Sequence, residues 1–206
     1  MVPSRRRLVR PTTDEVSPST GIGAEFDEVL AAAQAGGEWA FAVLYRALNP
    51  RLLRYFASQV PGVAEDLAAE TWIGVARNLG GFTGSEDDFR GWVFRIAQRR
   101  LVQHWRDLRR RPPLLFDPAT GADAAGGDDP EAMVVASETA MAAVRTITEV
   151  LTADQAAIVL LRVLGGLSVE QVATVLDKRP GAIRVAQHRA LRKLADKHVA
   201  IDGVTE

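Results

Sequence analysis

The sequence predicts an all-α protein made of two small helical domains joined by a flexible linker. Three observations lead there. Apolar residues recur at three- and four-residue steps, strand-like alternation is absent, and residues 112–137 break all periodicity. With 206 residues, the chain has room for one or two compact domains of roughly 100–150 residues each. A hydrophobic content of 47% supplies a buried core and argues against wholesale disorder.

Residues 1–24 read as a basic, flexible tail. Arg5, Arg6, Arg7 and Arg10 are followed by Thr, Ser, Pro and Gly, without the apolar run of a signal peptide. No stretch approaches the roughly 18 apolar residues of a membrane span. The absence of cysteine excludes disulfides, a cysteine nucleophile and thiolate metal sites, and suits a reducing compartment. The expected location is the cytoplasm, with no membrane insertion.

The first domain is expected over 25–111. Phe41, Leu44, Tyr45, Leu48, Leu52, Phe56 and Val60 share one helix face. Pro50 has no amide hydrogen and should kink that helix or end a segment of it. Pro61-Gly62 stops the run. A second helix covers Val63 to Leu79 and ends at Gly80-Gly81. The third begins near Asp87-Asp88, whose carboxylates suit a helix N-terminus, and runs to Arg111 before Pro112-Pro113.

Residues 112–137 carry five acidic and no basic side chains, three glycines and four prolines, the composition of a linker. The second domain follows over 138–206. It contains helices from Met141 to Leu151 and from Asp154 to Leu164, then a Gly165-Gly166-Leu167 turn. Ser168 is placed to cap a short helix with Glu170 and Gln171 in its first turn. After Leu176-Asp177-Lys178-Arg179, Pro180 occupies a first helical position and the last helix runs to about Lys197.

A near-zero net charge of −1 conceals two cationic segments. From Lys178 to His198 there are seven Lys or Arg against one acid, on the second of two short helices joined by a tight turn. That is the helix-turn-helix pattern, whose second helix fits the major groove of duplex DNA. Ile183, Ala190, Leu191 and Leu194 are expected to face Val169, Val172, Ala173 and Leu176. Arg184, His188, Arg189, Arg192 and Lys193 then face outward. The competing reading is a solvated basic helix, favoured by its own dipole.

Between Arg90 and Arg111 there are eight arginines and one acid, interleaved with Trp92, Phe94, His104 and Trp105. Arginines neutralise phosphates and aromatic rings stack on unpaired bases, so this helix has the composition of a single-strand contact. Trp92 reads as core. His104 and Trp105 are open between core and nucleic acid.

These segments together resemble the sigma-70 family of RNA polymerase subunits. Ala64-Glu65-Asp66-Leu67-Ala68-Ala69-Glu70-Thr71-Trp72 is similar to the region 2 helix that docks on the polymerase clamp. Asp88-Phe89-Arg90-Gly91-Trp92-Val93-Phe94-Arg95-Ile96-Ala97 is similar to the start of the helix that melts and reads the −10 element. Leu151 to Gln155 through Ala190 to Leu194 resembles region 4, which reads the −35 element. Order, linker and length match the extracytoplasmic-function (ECF) group, over about residues 25–198.

The resemblance implies a promoter-specificity subunit that binds core RNA polymerase and promoter DNA, and that uses no cofactor and catalyses no reaction. It implies polymerase contacts around Asp66, Leu67, Glu70, Thr71 and Trp72, with apolar residues of the 154–164 helix toward the flap. The loop 80–85, with Phe82 and Thr83, would capture a flipped base. Arg95, Arg99, Arg100, Gln103, His104 and Arg106 would line the −10 strand, and Arg184, Val185, His188, Arg189 and Arg192 the −35 duplex. Arg99 and Gln103 stand where relatives often carry Asn and Asp, so no −10 preference transfers. Val185 replaces a commonly polar reader, and Gln187 stands where an apolar residue is usual. Members of this group are usually held inactive by an anti-sigma partner.

A free-standing helix-turn-helix regulator is the main alternative; residues 25–111 lack the strand–helix alternation of a receiver domain. An enzyme is disfavoured, because His104, His188 and His198 are scattered and no phosphate-cradling GxxxxGK[ST] loop occurs.

Overall fold

The computed structural model describes residues 22–110 and 144–202, all of it helix, turn and short connection. The expected linker at 112–137 and most of the expected tail lie outside the described residues. The tail's last residues are held in place: the backbone N–H groups of Ile22 and Gly23 each donate to the Glu86 carboxylate at 2.8 Å.

The first half is built from α1 (Phe26–Gln34), α2 (Glu38–Ala57), α3 (Ala64–Asn78) and α4 (Glu86–Arg110). Leu44, Leu48, Leu52 and Phe56 of α2 are buried as their spacing predicts, and Val60 just beyond it is buried too. Tyr45 instead lies 40% exposed, against the ring of Trp72. Pro50 does not end the helix, which continues to Ala57. One amide is lost there, but apolar side chains bury on both sides of it, each contributing about 1.5–3 kcal/mol. Asn49, immediately before it, is buried and accepts a hydrogen bond from Trp72 Nε1 at 3.0 Å, tying α2 to α3.

Tyr55 is fully buried: three positions after Leu52 and seven after Leu48, it shares their face beside Phe56. Its ring packs edge-on to Phe94 of α4, and its hydroxyl donates to Gln98 Oε1 at 2.5 Å. Burial pushes its pKa well above the ordinary phenol range.

The second half contains a helix described over 144–150 (α5), α6 (Ala153–Val163), α7 (Val169–Leu176) and α8 (Pro180–Asp202). Two capping boxes set its joints. Ser168 with Gln171 starts α7 as expected, and Thr152 with Gln155 starts α6. Asp177 closes α7 in the left-handed region at φ 53°, a conformation Asp tolerates. Ile183 and Ala190 of α8 bury completely, against the α6 and α7 core that includes Val172 and Ala173. Leu191 does not join them and is 50% exposed. Buried Ala190 leaves it about 100° around the helix, on the outer side, while Leu194 is half-buried.

Replacing Leu52 by Ala should lower unfolding free energy by about 2–5 kcal/mol, because a fully enclosed site leaves a cavity. Thr152→Ala should cost only about 1 kcal/mol, the loss of one cap. Urea denaturation of the full chain followed by circular dichroism distinguishes the two.

Candidate nucleic-acid and partner interfaces

Helix α4 divides its circumference between core and charge. Phe89, Val93, Phe94, Ala97 and Leu101 are buried. Arg95, Arg99, Gln103 and Arg106, spaced four, four and three apart, are all exposed on the other side. Gln103 donates to Asp107 Oδ1 at 2.9 Å, which orients its amide along that row. Arg100 sits at the flank, 3.8 Å from the Glu70 carboxylate of α3. His104 extends the buried row by one turn and is half-buried, its ring 5.8 Å edge-on from Trp105. Trp105, 41% exposed, is therefore the more accessible ring for stacking on a base. Trp92 packs against Phe82 and Phe89, as a core residue should.

The loop before α4 is held from both ends. Ser85 Oγ accepts from the Asp88 backbone N–H at 3.2 Å, and Asp88 Oδ2 accepts from the Ser85 backbone at 3.0 Å. The Ser85 hydroxyl also donates to Asp88 Oδ2 at 2.7 Å, and this bond, with that from the Ser85 backbone N–H, holds the Asp88 carboxyl below its usual pKa. Phe82 is buried with its ring edge-on to Phe89, so it braces the loop from beneath, while Thr83 stays exposed. Of this expected pair, Thr83 alone presents its side chain to solvent.

On α3 the expected polymerase-facing set separates in the same way. Leu67, Thr71 and Trp72 are buried; Thr71 spends its hydroxyl on the Leu67 carbonyl at 2.7 Å. Helical period explains this, since positions 67, 71 and 72 lie on the side toward α2. Asp66 and Glu70 are exposed, joined by Ile73 at 49% exposure. Sequence reasoning passed over Ile73. Its signal was an apolar residue seven positions after Asp66 and three after Glu70, on the polar side of the helix.

In the helix-turn-helix, Arg184, Val185, His188, Arg189 and Arg192 all lie exposed on α8. Arg184 donates to Glu170 Oε1 of α7 at 2.6 Å, which holds its guanidinium in one direction. Lys178 pairs with Asp154, bracing α6 against the start of α8. Gln187, by contrast, is half-buried and takes an inward position. Among the described residues no cluster of His, Asp and Glu could hold a metal ion, and no helix is long and apolar enough to cross a membrane.

Two family matches cover most of the described chain: Sigma-70 region 2 over residues 44–111, and Sigma-70 region 4 over residues 141–194. The chain is 35% identical over 188 residues to the ECF RNA polymerase sigma factor BldN of Streptomyces coelicolor, covering 90% of this chain and 68% of that protein. It is 32% identical over 202 residues to the ECF RNA polymerase sigma factor SigD of Mycobacterium tuberculosis, covering 93% of each. The fold is also that of CnrH, solved in complex with the cytosolic domain of CnrY. The TM-score is 0.59 at 21% identity, covering 84% of this chain and 96% of that one.

Arg189→Ala should weaken duplex binding and reduce the slope of log affinity against log salt by about one. Fluorescence anisotropy across a salt series measures that slope. Leu52→Ala, if folded, should leave the slope unchanged.

Proposed function

The chain belongs to the sigma-70 family, in its ECF group, and is a promoter-specificity subunit of RNA polymerase; from that premise we propose how its surfaces divide the work. The observation that carries the division is the separation of charge in space. One cationic row lies on α4, a second lies on α8, and an acidic and apolar face lies on α3.

The exposed row Arg95, Arg99, Gln103 and Arg106, with Arg100 at its flank, follows the phosphates of the melted −10 strand. Trp105 and His104 offer ring surface, and Thr83 meets an extruded base whose capture repays part of its unstacking cost. Phe82 acts indirectly, by holding that loop. Arg184, His188, Arg189 and Arg192 contact the −35 duplex, and Val185, 51% exposed, suits a thymine methyl. Asp66, Glu70 and Ile73 face the polymerase clamp helices, while Leu67, Thr71 and Trp72 position them. Apolar residues of α6, Val163 among them at 68% exposure, meet the flap.

Two weak readers on one chain raise each other's effective concentration, so joint engagement discriminates promoters better than either alone. The protein works in the cytoplasm with polymerase, and chemistry remains with the polymerase. The domain limits follow the same division: a tail at 1–24, region 2 over 25–111, a linker at 112–137 and region 4 over 138–206. An anti-sigma protein that occupies these surfaces is part of the proposal, in keeping with the complex in which CnrH is seen.

Run-off transcription with purified core polymerase on a pool of random promoter templates tests the reading. Specific initiation that depends on this protein is the expected result. In the same assay Asp66→Lys should abolish core-dependent initiation while leaving −35 duplex binding intact. Duplex binding without any capture by core would instead favour a free-standing regulator.

A further inference from the structure

The exposed cations of α8 fall into two kinds. Arg184 donates to the Glu170 carboxylate of α7 at 2.6 Å, and both side chains are well exposed. Arg189 and Arg192, on the same helix, have no carboxylate partner among the described residues. An acid beside a DNA-facing arginine cancels part of the charge that would attract phosphate. Arg184 is therefore ill suited to plain phosphate neutralisation, whereas Arg189 and Arg192 suit it.

Both ends of the pair stand on fixed backbone. Glu170 lies in the first turn of α7, closed by a capping box in which Ser168 N–H donates to Gln171 Oε1 at 2.7 Å and Gln171 N–H to Ser168 Oγ at 3.1 Å. Buried Val172 and Ala173 follow. Arg184 comes directly after Ile183, which is fully buried and whose N–H donates to the Arg179 carbonyl at 3.1 Å. Freedom remains only in the two side chains, and the bond between them restricts it. Such an exposed pair adds little to folding stability. Its effect falls on the planar guanidinium: one N–H is spent on Glu170, and the others keep a set direction.

We propose that Glu170 is a specificity-determining residue of the −35 reader, which positions Arg184 toward one base edge and disfavours binding elsewhere. The proposal rests on the assignment of α8 to the −35 duplex. Two effects combine. An arginine already held loses less freedom on meeting its acceptor, an advantage of about twofold to tenfold at the matching base. The first helix of a helix-turn-helix crosses the DNA backbone, so an exposed carboxylate on α7 stands where phosphates pass. At a site without the matching base, its repulsion is not offset by a base contact of Arg184. Arg189 and Arg192 supply the attraction that all sequences share.

The test uses the full chain as wild type, Glu170→Gln, Arg184→Ala and the double variant. Each captures duplexes from a pool randomised over one helical turn, roughly ten base pairs, which is sequenced before and after. The wild-type protein should enrich a sequence. Glu170→Gln should lose preference by about twofold to tenfold at the position that Arg184→Ala also loses, and keep it elsewhere. Added to Arg184→Ala, it should change the profile no further. On the unselected pool, fluorescence anisotropy should show Glu170→Gln binding more tightly, with a slope of log affinity against log salt steeper by up to about one. A residue that only stabilised the fold would not raise affinity.

A Glu170→Gln profile equal to wild type, or a loss spread evenly over all positions, overturns the proposal. So does a further loss in the Arg184→Ala background, or affinity for the unselected pool that fails to rise. Failure of the −35 assignment has a different signature: the wild-type protein would enrich no sequence, and Arg189→Ala would leave the salt slope unchanged.

Discussion

The burial of the apolar side of α4 is the constraint on which the rest of the molecule depends. Phe89, Val93, Phe94, Ala97 and Leu101 must leave water, and α2 and α3 supply the surface that takes them in. Tyr55 from α2 packs on Phe94, and Gly74 of α3 allows Ile96 to approach at a distance a larger residue would contest. Once that side is committed, helical period leaves Arg95, Arg99, Gln103 and Arg106 facing outward. This exposed cationic row is thus the geometric complement of the core.

The same commitment draws in the second half. Phe94 is covered partly by the Gly165-Gly166 turn, and the first turn of α4 offers the Asp87 carbonyl to Gln171. Polar groups here serve two purposes at once. Gln171 caps its own helix and binds another, and Arg90 pairs locally with Asp87 while reaching Gly166. Such bridging contacts are individually modest, around 1 kcal/mol net for a neutral hydrogen bond.

Electrostatics explains why a chain of almost neutral charge can act on DNA. Acidic residues concentrate on α3, at the start of α4 and in the 112–137 stretch, and the cations concentrate on α4 and α8. Glu70 with Arg100 and Glu170 with Arg184 join the two populations at their borders. Exposed pairs like these contribute little stability, but they hold long side chains in one direction.

Most helix limits, the Ser168 cap, the Pro180 start and the outward residues of α8 were legible in the sequence, because local periodicity and capping chemistry act within a few residues. Burial at single positions was not. Leu191 and Ile73 stayed exposed although apolar, since a neighbour from a distant segment decides which edge of a stripe is covered, while Tyr55 and the polar Gln187 stand at stripe spacing and turn inward. Leu67, Thr71, Trp72 and Phe82 stand in the motifs the resemblance rests on, but their side chains turn inward. By itself the sequence determined the all-α class, the order of elements and the family, through residue spacing and composition. The tertiary structure alone decided which motif residues reach solvent and that the two halves meet at Gly165, Gly166 and Gln171. That contact joins residues more than 70 positions apart, and no local pattern encodes so distant a pairing.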